Sequence, residues 1–325
     1  MPREYSFYTW NLKDFWAADA DTDRCAAVVD VIRELGATVI AVQEVIAADQ
    51  ATAMARLARL ADLTGMTATV PAGDSGEADS GRPIYAGGAG GNRFATGLLW
   101  ARDAGITVHP KTFRVYGGGD FFHSLTKVDL IIGGDRITVA SWHGCPIGQP
   151  RRASEAERVV SALLSSELAI IGSDANTIGS ARVPDGAGGY RDYDEDPYAC
   201  RPWQRGFVHT CTWTTGDSGE VVEHHADRTA ARIMAAGGLY DVAPTIGAPW
   251  TATAGHHRTD ALGMDRRIDF IHATAAMVQR ITRHQVHDTP LARFASDHLP
   301  SGTFWTASRP AGGREPRGGP DLAQP

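Results

Sequence analysis

Short apolar runs that end on a single polar side chain recur along the chain and set the expected order of elements. Residues 5–10 alternate and are rich in aromatics, which predicts a strand, with Asn11 at its end. Ala26, Val29, Val31, Ile32 and Leu35 have helical spacing over 23–35, and Gly36 terminates it. The run 38–43 predicts a buried strand with Glu44 at its carboxyl end, and 47–61 a second helix. Strand 94–100 comes next. Strands 124–132 and 136–142 then form a hairpin through Gly133-Gly134-Asp135, with His143 after the second strand. Helix 151–164 and strand 168–171 lead into Gly172-Ser173-Asp174-Ala175-Asn176. Strand 266–272 carries Asp269, and 294–300 is expected to be the last strand and turn, bearing Asp297-His298.

Between these runs the pattern fails in three places. Residues 71–92 are rich in Gly, Ser and Asp and read as a mobile loop. Residues 179–238 read as a long structureless insertion with aromatic and charged clusters, including Trp203 and His224-His225. Beyond 306 the chain is rich in Pro, Gly and Arg and is expected to be a disordered tail.

The polar residues at the strand ends carry the chemistry. Ligands gather at strand ends of α/β sheets. Asp174 and Asn176, two apart on extended or turning backbone, suit a carboxylate base and an amide donor around one phosphoryl group. Asp269 lies inside an apolar strand, where a carboxylate is costly unless paired, and His298 is the expected partner. His224, His225 and Asp227 are metal-ligating types on a loop, where adjacent histidines are usually solvated.

Composition narrows the classes. The chain has 325 residues, 43% of them hydrophobic, enough for a large core. No run of about eighteen apolar residues suggests a membrane span. The chain opens Met1-Pro2-Arg3-Glu4 and enters a strand at once, without the regions of a secretion signal, so a cytoplasmic location is expected. Cys25, Cys145, Cys200 and Cys211 form no Cys-x-x-Cys pair; Cys200 and Cys211 would pair only in a secreted protein. The net charge is −7, and lysine occurs only at Lys13, Lys111 and Lys127. A protein that grips a long polynucleotide normally shows a basic face, so nucleic acid is disfavoured as partner.

Trp10-Asn11, Gln43-Glu44, His143, Ser173-Asp174-Ala175-Asn176, Arg267-Ile268-Asp269-Phe270-Ile271 and Ser296-Asp297-His298-Leu299-Pro300 occur in an order that resembles the endonuclease/exonuclease/phosphatase superfamily. The resemblance spans about residues 5–305. It implies an α/β (α+β) fold, a four-layer sandwich of two packed mixed β-sheets flanked by helices. One catalytic domain would cover 1–305 with the insertion 179–238, followed by the tail 306–325. By the same resemblance Glu44 is the principal Mg²⁺ ligand, Mn²⁺ being the substitute, with Asn11 and Asp297 beside the metal. Asp174 would orient or deprotonate water and Asn176 would donate to the transition state. His298, oriented by Asp269, would meet the phosphoryl group, and His143 would be a general acid. Arg93, His123 and Trp203 are the expected substrate contacts. The implied activity is Mg²⁺-dependent hydrolysis of a phosphate mono- or diester of a small or lipid-like molecule. A DNA or RNA nuclease of the same superfamily is the second reading, and recruitment to non-hydrolytic specialised metabolism the third. The chain departs from the pattern at Ser173, where glycine is usual, and at Lys13, where a carboxylate is often found, with Asp14 one further on.

Overall fold

Strands that are apolar on both faces must be covered on both sides, and that requirement explains the architecture. A computed structural model describes residues 3–16, 22–71, 84–257 and 262–307. The main elements run β1 (Glu4–Phe15), α1 (Thr22–Leu35), β2 (Val39–Ile46), α2 (Gln50–Thr64), β3 (Phe94–Ala101), β4 (Leu125–Ile132), β5 (Asp135–His143), α3 (Gln149–Leu163) and β6 (Ala169–Asp174). They continue as β7 (Cys211–Thr215), β8 (Val221–Ala226), α4 (Thr229–Ala236), β9 (Leu239–Asp241), β10 (Asp269–Thr274), β11 (Ile281–Val286), α5 (Pro290–Ala295) and β12 (Ser301–Thr306).

Two mixed sheets form. The first has the order β11-β12-β1-β2-β3, extended by the short strands Met66–Thr67 and Gly87–Gly88 on β3. The second has the order β9-β10-β6-β5-β4, extended by Thr107–Val108 and Arg114–Tyr116 on β4. The β1–β2 and β5–β6 pairs are parallel. Phe7, Val39, Leu98, Val128, Val139, Ile170 and Trp305 fill the space between the sheets. Trp10, Ile40 and Val42 face the other way, against Val28 and Ile32 of α1 and Leu57 and Leu60 of α2. Trp142, Ile171 and Phe270 cover the second sheet's outer face with Val159 and Leu163 of α3 and Met234 of α4. Helix, sheet, sheet and helix are thus the four layers that the resemblance implied.

Several boundaries move for local reasons. Helix α2 starts at Gln50 because the Asp49 side chain caps it, accepting from Thr52 N at 2.7 Å, and Gly65 (φ 75°) closes it. Residues 294–300 are not the last strand. Thr289 caps the short helix α5, and the strand β12 that pairs with β1 comes after Pro300. The insertion is not structureless. It holds the hairpin β7–β8, the hairpin of Arg182–Pro184 with Tyr190–Asp192, helix α4, and a small core around Ile178, Tyr198, Phe207 and Cys211. Of the loop at 71–92, residues 72–83 lie outside the described residues, and Ile84–Tyr85 and Gly87–Gly88 are short strands. The expected tail lies outside the described residues from 308 onward. The four cysteines are free, so Cys200 and Cys211 do not pair. Among the described residues no helix is long and apolar enough to cross a membrane.

Candidate active site

The sheets place the polar residues at one end of the sandwich. His143, Asp174 and Asp269 are direct cross-strand neighbours on β5, β6 and β10. From the first sheet come Asn11 and Glu44, on β1 and β2, each at a register shift in the pairing. Glu44 has φ 60°, a backbone conformation that an L side chain adopts only when its surroundings impose it. Such outliers concentrate where a side chain is being aimed, and Asn176 (φ 50°) is another.

Asp174 is the focus. Its Oδ2 accepts from Asn11 Nδ2 at 2.9 Å and lies 3.5 Å from His143 Nε2 and 3.8 Å from His298 Nε2. Asn11 Nδ2 also reaches Glu44 Oε1 at 3.0 Å, while Asn11 Oδ1 accepts from Lys13 N at 2.9 Å. The Asn11 oxygen is thereby turned to the backbone, and its amide N–H groups brace two carboxylates. Asp14 N donates to Glu44 Oε2 at 2.9 Å. His298 Nδ1 is 2.8 Å from Asp269 Oδ2, which realises the pairing expected from burial. Asn176 N donates to Asp174 Oδ1, and the Asn176 side chain donates to Gly144 O at 3.1 Å. Asp297 Oδ2 lies 3.3 Å from Lys13 Nζ.

Burial pushes the Asp174 carboxyl up to about 7, against the pull of the His298 charge. Burial raises Glu44 as well, despite the hydrogen bonds from Asn11 and Asp14. Burial pulls the His298 ring down, but Asp269 and Asp174 outweigh it and hold the imidazole well above its ordinary value. His143 lies well below its ordinary value because it is buried and because His123 and His298 are close. The site therefore pairs a charged imidazole with a neutral one.

Three residues that sequence reasoning passed over set this geometry. Thr253 Oγ1 accepts from Ile268 N and Asp269 N, and Thr253 O accepts from Leu299 N, so one residue joins the two segments that carry Asp269 and His298. Glu155, fully buried on α3, accepts from Phe122 N at 2.6 Å and Cys145 N at 2.9 Å, next to His123 and His143. A lone Thr or an acidic residue in a helix carries no signal of either role. Ser296 belongs to a quoted motif, but its work was not foreseen: it donates to Asn11 O and accepts from His298 N.

The expected substrate contacts are dispersed. Arg93 is largely exposed, 3.1 Å from Asp14 Oδ1, with its guanidinium over the Phe94 ring. His123 is buried and stacks on His143 with ring centroids 3.7 Å apart. Trp203 packs on Phe207, Trp213 and His224 inside the insertion. His224, His225 and Asp227 do not converge as a metal cluster: Asp227 is bonded to the buried Arg152, and His225 faces Glu223.

Glu44, His143 and Asp174 bring ligand atoms within 4.8 Å of one another. Among the described residues, the carboxyl groups of Glu44, Asp174, Asp269 and Asp297 gather around His298 and Lys13. Carboxylate oxygens of this kind suit a hard divalent cation such as Mg²⁺ or Mn²⁺, so the donor set fits one.

Two mixed sheets packed face to face with helices outside are the fold that the chain shares with solved structures named endonuclease/exonuclease/phosphatase. An endonuclease/exonuclease/phosphatase from Bacteroides vulgatus superposes with a TM-score of 0.60 at 12% identity, over 94% of this chain and 100% of its own. A mannosyl-6-phosphatase from Bacteroides thetaiotaomicron gives 0.54 at 10% identity, over 92% and 98%. A D. rerio TDP2 humanized by 14 mutations gives 0.50 at 12% identity, over 94% and 99%. No protein-family model and no curated protein sequence matches the chain.

Proposed function

We propose that the protein is a metal-dependent phosphoesterase that hydrolyses a phosphate mono- or diester of a small or lipid-like molecule, with residues 1–305 acting as one catalytic domain. The observation that carries this reading is the convergence on Asp174 Oδ2 of Asn11, His143 and His298, from both sheets, beside the Glu44 carboxylate.

Glu44 and Asp174 would hold Mg²⁺ or Mn²⁺. The cation, when bound, supplies charge stabilisation at the phosphoryl oxygens. Asp174 orients the attacking water and takes its proton. His298, kept protonated and oriented by Asp269, donates to a phosphoryl oxygen. Neutral His143, whose Nε2 lies 3.5 Å from Asp174 Oδ2, passes the water proton on to the leaving oxygen. Asn11 fixes the two carboxylates, and Asn176 holds the Gly144 backbone beside His143. The net charge of −7 favours a small substrate over a polynucleotide, and a structural neighbour named a mannosyl-6-phosphatase agrees with that preference.

The test is turnover of p-nitrophenyl phosphate and bis(p-nitrophenyl) phosphate with Mg²⁺ or Mn²⁺. Activity should vanish with EDTA and in Glu44→Ala and His298→Ala. Metal-independent turnover, or full activity in either variant, would remove the mechanism. Efficient cleavage of plasmid DNA would move the assignment to a nuclease.

A further inference from the structure

Lys13 stands where a superfamily pattern often has a carboxylate, and its surroundings show what it does instead. Lys13 (φ 48°) and Asp14 (φ 46°) both take left-handed backbone, folding the end of β1 back over the site. The fold-back is pinned at each residue: Lys13 N donates to Asn11 Oδ1 and Asp14 N to Glu44 Oε2. The ammonium is thereby delivered to Asp297, 3.3 Å from Oδ2, and lies 3.4 Å from His257 Nδ1. Both partners of the ion pair are mostly shielded, with 24% and 29% of their side chains exposed, so solvent screens the pair only in part.

A second observation comes from the carboxylates themselves. The donor atoms gather in two groups, Glu44–His143–Asp174 and Asp174–Asp269–His298, and Asp297 belongs to neither. In the second group His298 Nδ1 and Asp269 Oδ2 are already bonded to each other at 2.8 Å, so both atoms are engaged without a metal ion. A divalent ion at Asp297 would have to displace an ammonium held at ion-pair distance.

We infer that the site binds one divalent cation, at Glu44 and Asp174, and that Lys13 fills with its ammonium the second cationic position that Asp297 would otherwise offer. The inference rests on the metal-dependent reading above and deepens it. Asp297 is then the partner of Lys13 and not a metal ligand. The ammonium is tethered to the chain, so its charge stands beside Asp297 whatever the metal concentration.

Mn²⁺ titration of the full chain, read by the EPR signal of the free ion, tests this directly. Wild type should bind one Mn²⁺ per chain. Asp297→Asn should still bind one. Lys13→Met, which removes the charge and keeps the length, should bind a second ion, and Lys13→Met combined with Asp297→Asn should return to one. Thermal melts of each variant establish that it is folded. Two ions in wild type, loss of the only ion in Asp297→Asn, or a single ion in folded Lys13→Met would each overturn the inference and leave the phosphoesterase reading standing. No bound ion in wild type would overturn both.

Discussion

Arg267 and Asp194 form a buried ion pair that bolts the insertion to the approach of the strand carrying Asp269. Arg267 Nε lies 2.9 Å from Asp194 Oδ1, and its Nη1 lies 3.1 Å from Asp241 Oδ1. The Phe270 and Tyr193 rings flank the guanidinium, and Trp250 Nε1 donates to Asp194. The insertion is therefore continuous with the core where it meets the site. Arg267→Met would leave the buried Asp194 and the partly buried Asp241 without their cation, and removal of one partner of a buried pair costs about 3–5 kcal/mol. The exposed pair Arg33–Asp30 is the control, and Arg33→Met should cost about 0.5 kcal/mol or less. Urea unfolding of both variants measures the contrast; equal shifts would mean that Arg267 is not the clamp described.

Asp269 acts through His298, which it holds at 2.8 Å. Asp269→Asn keeps the volume and removes the charge that keeps the imidazole protonated. In a comparable carboxylate–histidine pair this change lowers kcat by about 10⁴-fold, and a loss of roughly 10²–10⁴-fold is expected here. KM should move little, and circular dichroism should be unchanged. A loss carried mainly by KM would place Asp269 in substrate binding.

His123 positions His143 by ring contact. The two ring planes are 8° from parallel, and His123 Nδ1 meets Asn92 Oδ1 at 3.0 Å. His123→Ala removes the stacking surface, and a misplaced neighbouring group costs roughly 10- to 100-fold in kcat. His123→Phe should restore most of the rate because it restores the surface. If Phe is as poor as Ala, the His123 nitrogen atoms matter and the ring contact does not.

His272 supplies an acid-sensitive term in stability. Burial first, and the Arg267 charge with it, lower the ring from 6.5 to about 4, against the opposite pull of Asp241. Between those values the unfolded chain binds a proton that the folded protein excludes, so stability rises with pH across the window and is lost as pH falls from 6.5 to about 4. The loss amounts to about 1–3 kcal/mol. His272→Asn should flatten that part of the urea midpoint against pH profile. An unchanged slope would show that the ring is accessible to protons in the folded state.

Thr253 ties together the segments of Asp269 and His298 through the acceptor Oγ1 and its own carbonyl. Thr253→Val keeps the shape and strands two buried N–H groups, at a cost of about 1–3 kcal/mol each. Thr253→Ser should retain near-normal stability and rate. Loss in Ser with normal behaviour in Val would assign the role to the methyl group.

The central strands β2 and β6 were readable because they are buried on both faces, so that Val39–Val42 and Ala169–Ile171 appear as unbroken apolar runs. The weaker elements were not. Hairpin β7–β8 exposes most of one strand as Thr212–Thr215, and edge strand β11 reads Ile-Thr-Arg-His-Gln-Val, so neither shows the alternation of a half-buried strand. Helix α4 was hidden in the insertion because it is short and rich in alanine.

The sequence by itself determined where the chemistry stands along the chain: a polar residue at the end of a buried strand is visible as a break in an apolar run, and Asp269 announced its need for a partner by its apolar neighbours. Only the tertiary structure decided which polar groups meet. That Lys13 faces Asp297, that His123 lies on His143, and that Asn11 turns its amide N–H groups to Glu44 and Asp174 depend on sheet register, bulges and left-handed backbone. Local periodicity reports which face of an element is buried. It holds no information on what distant segment packs against that face, because that choice is made by closing long loops around a shared core.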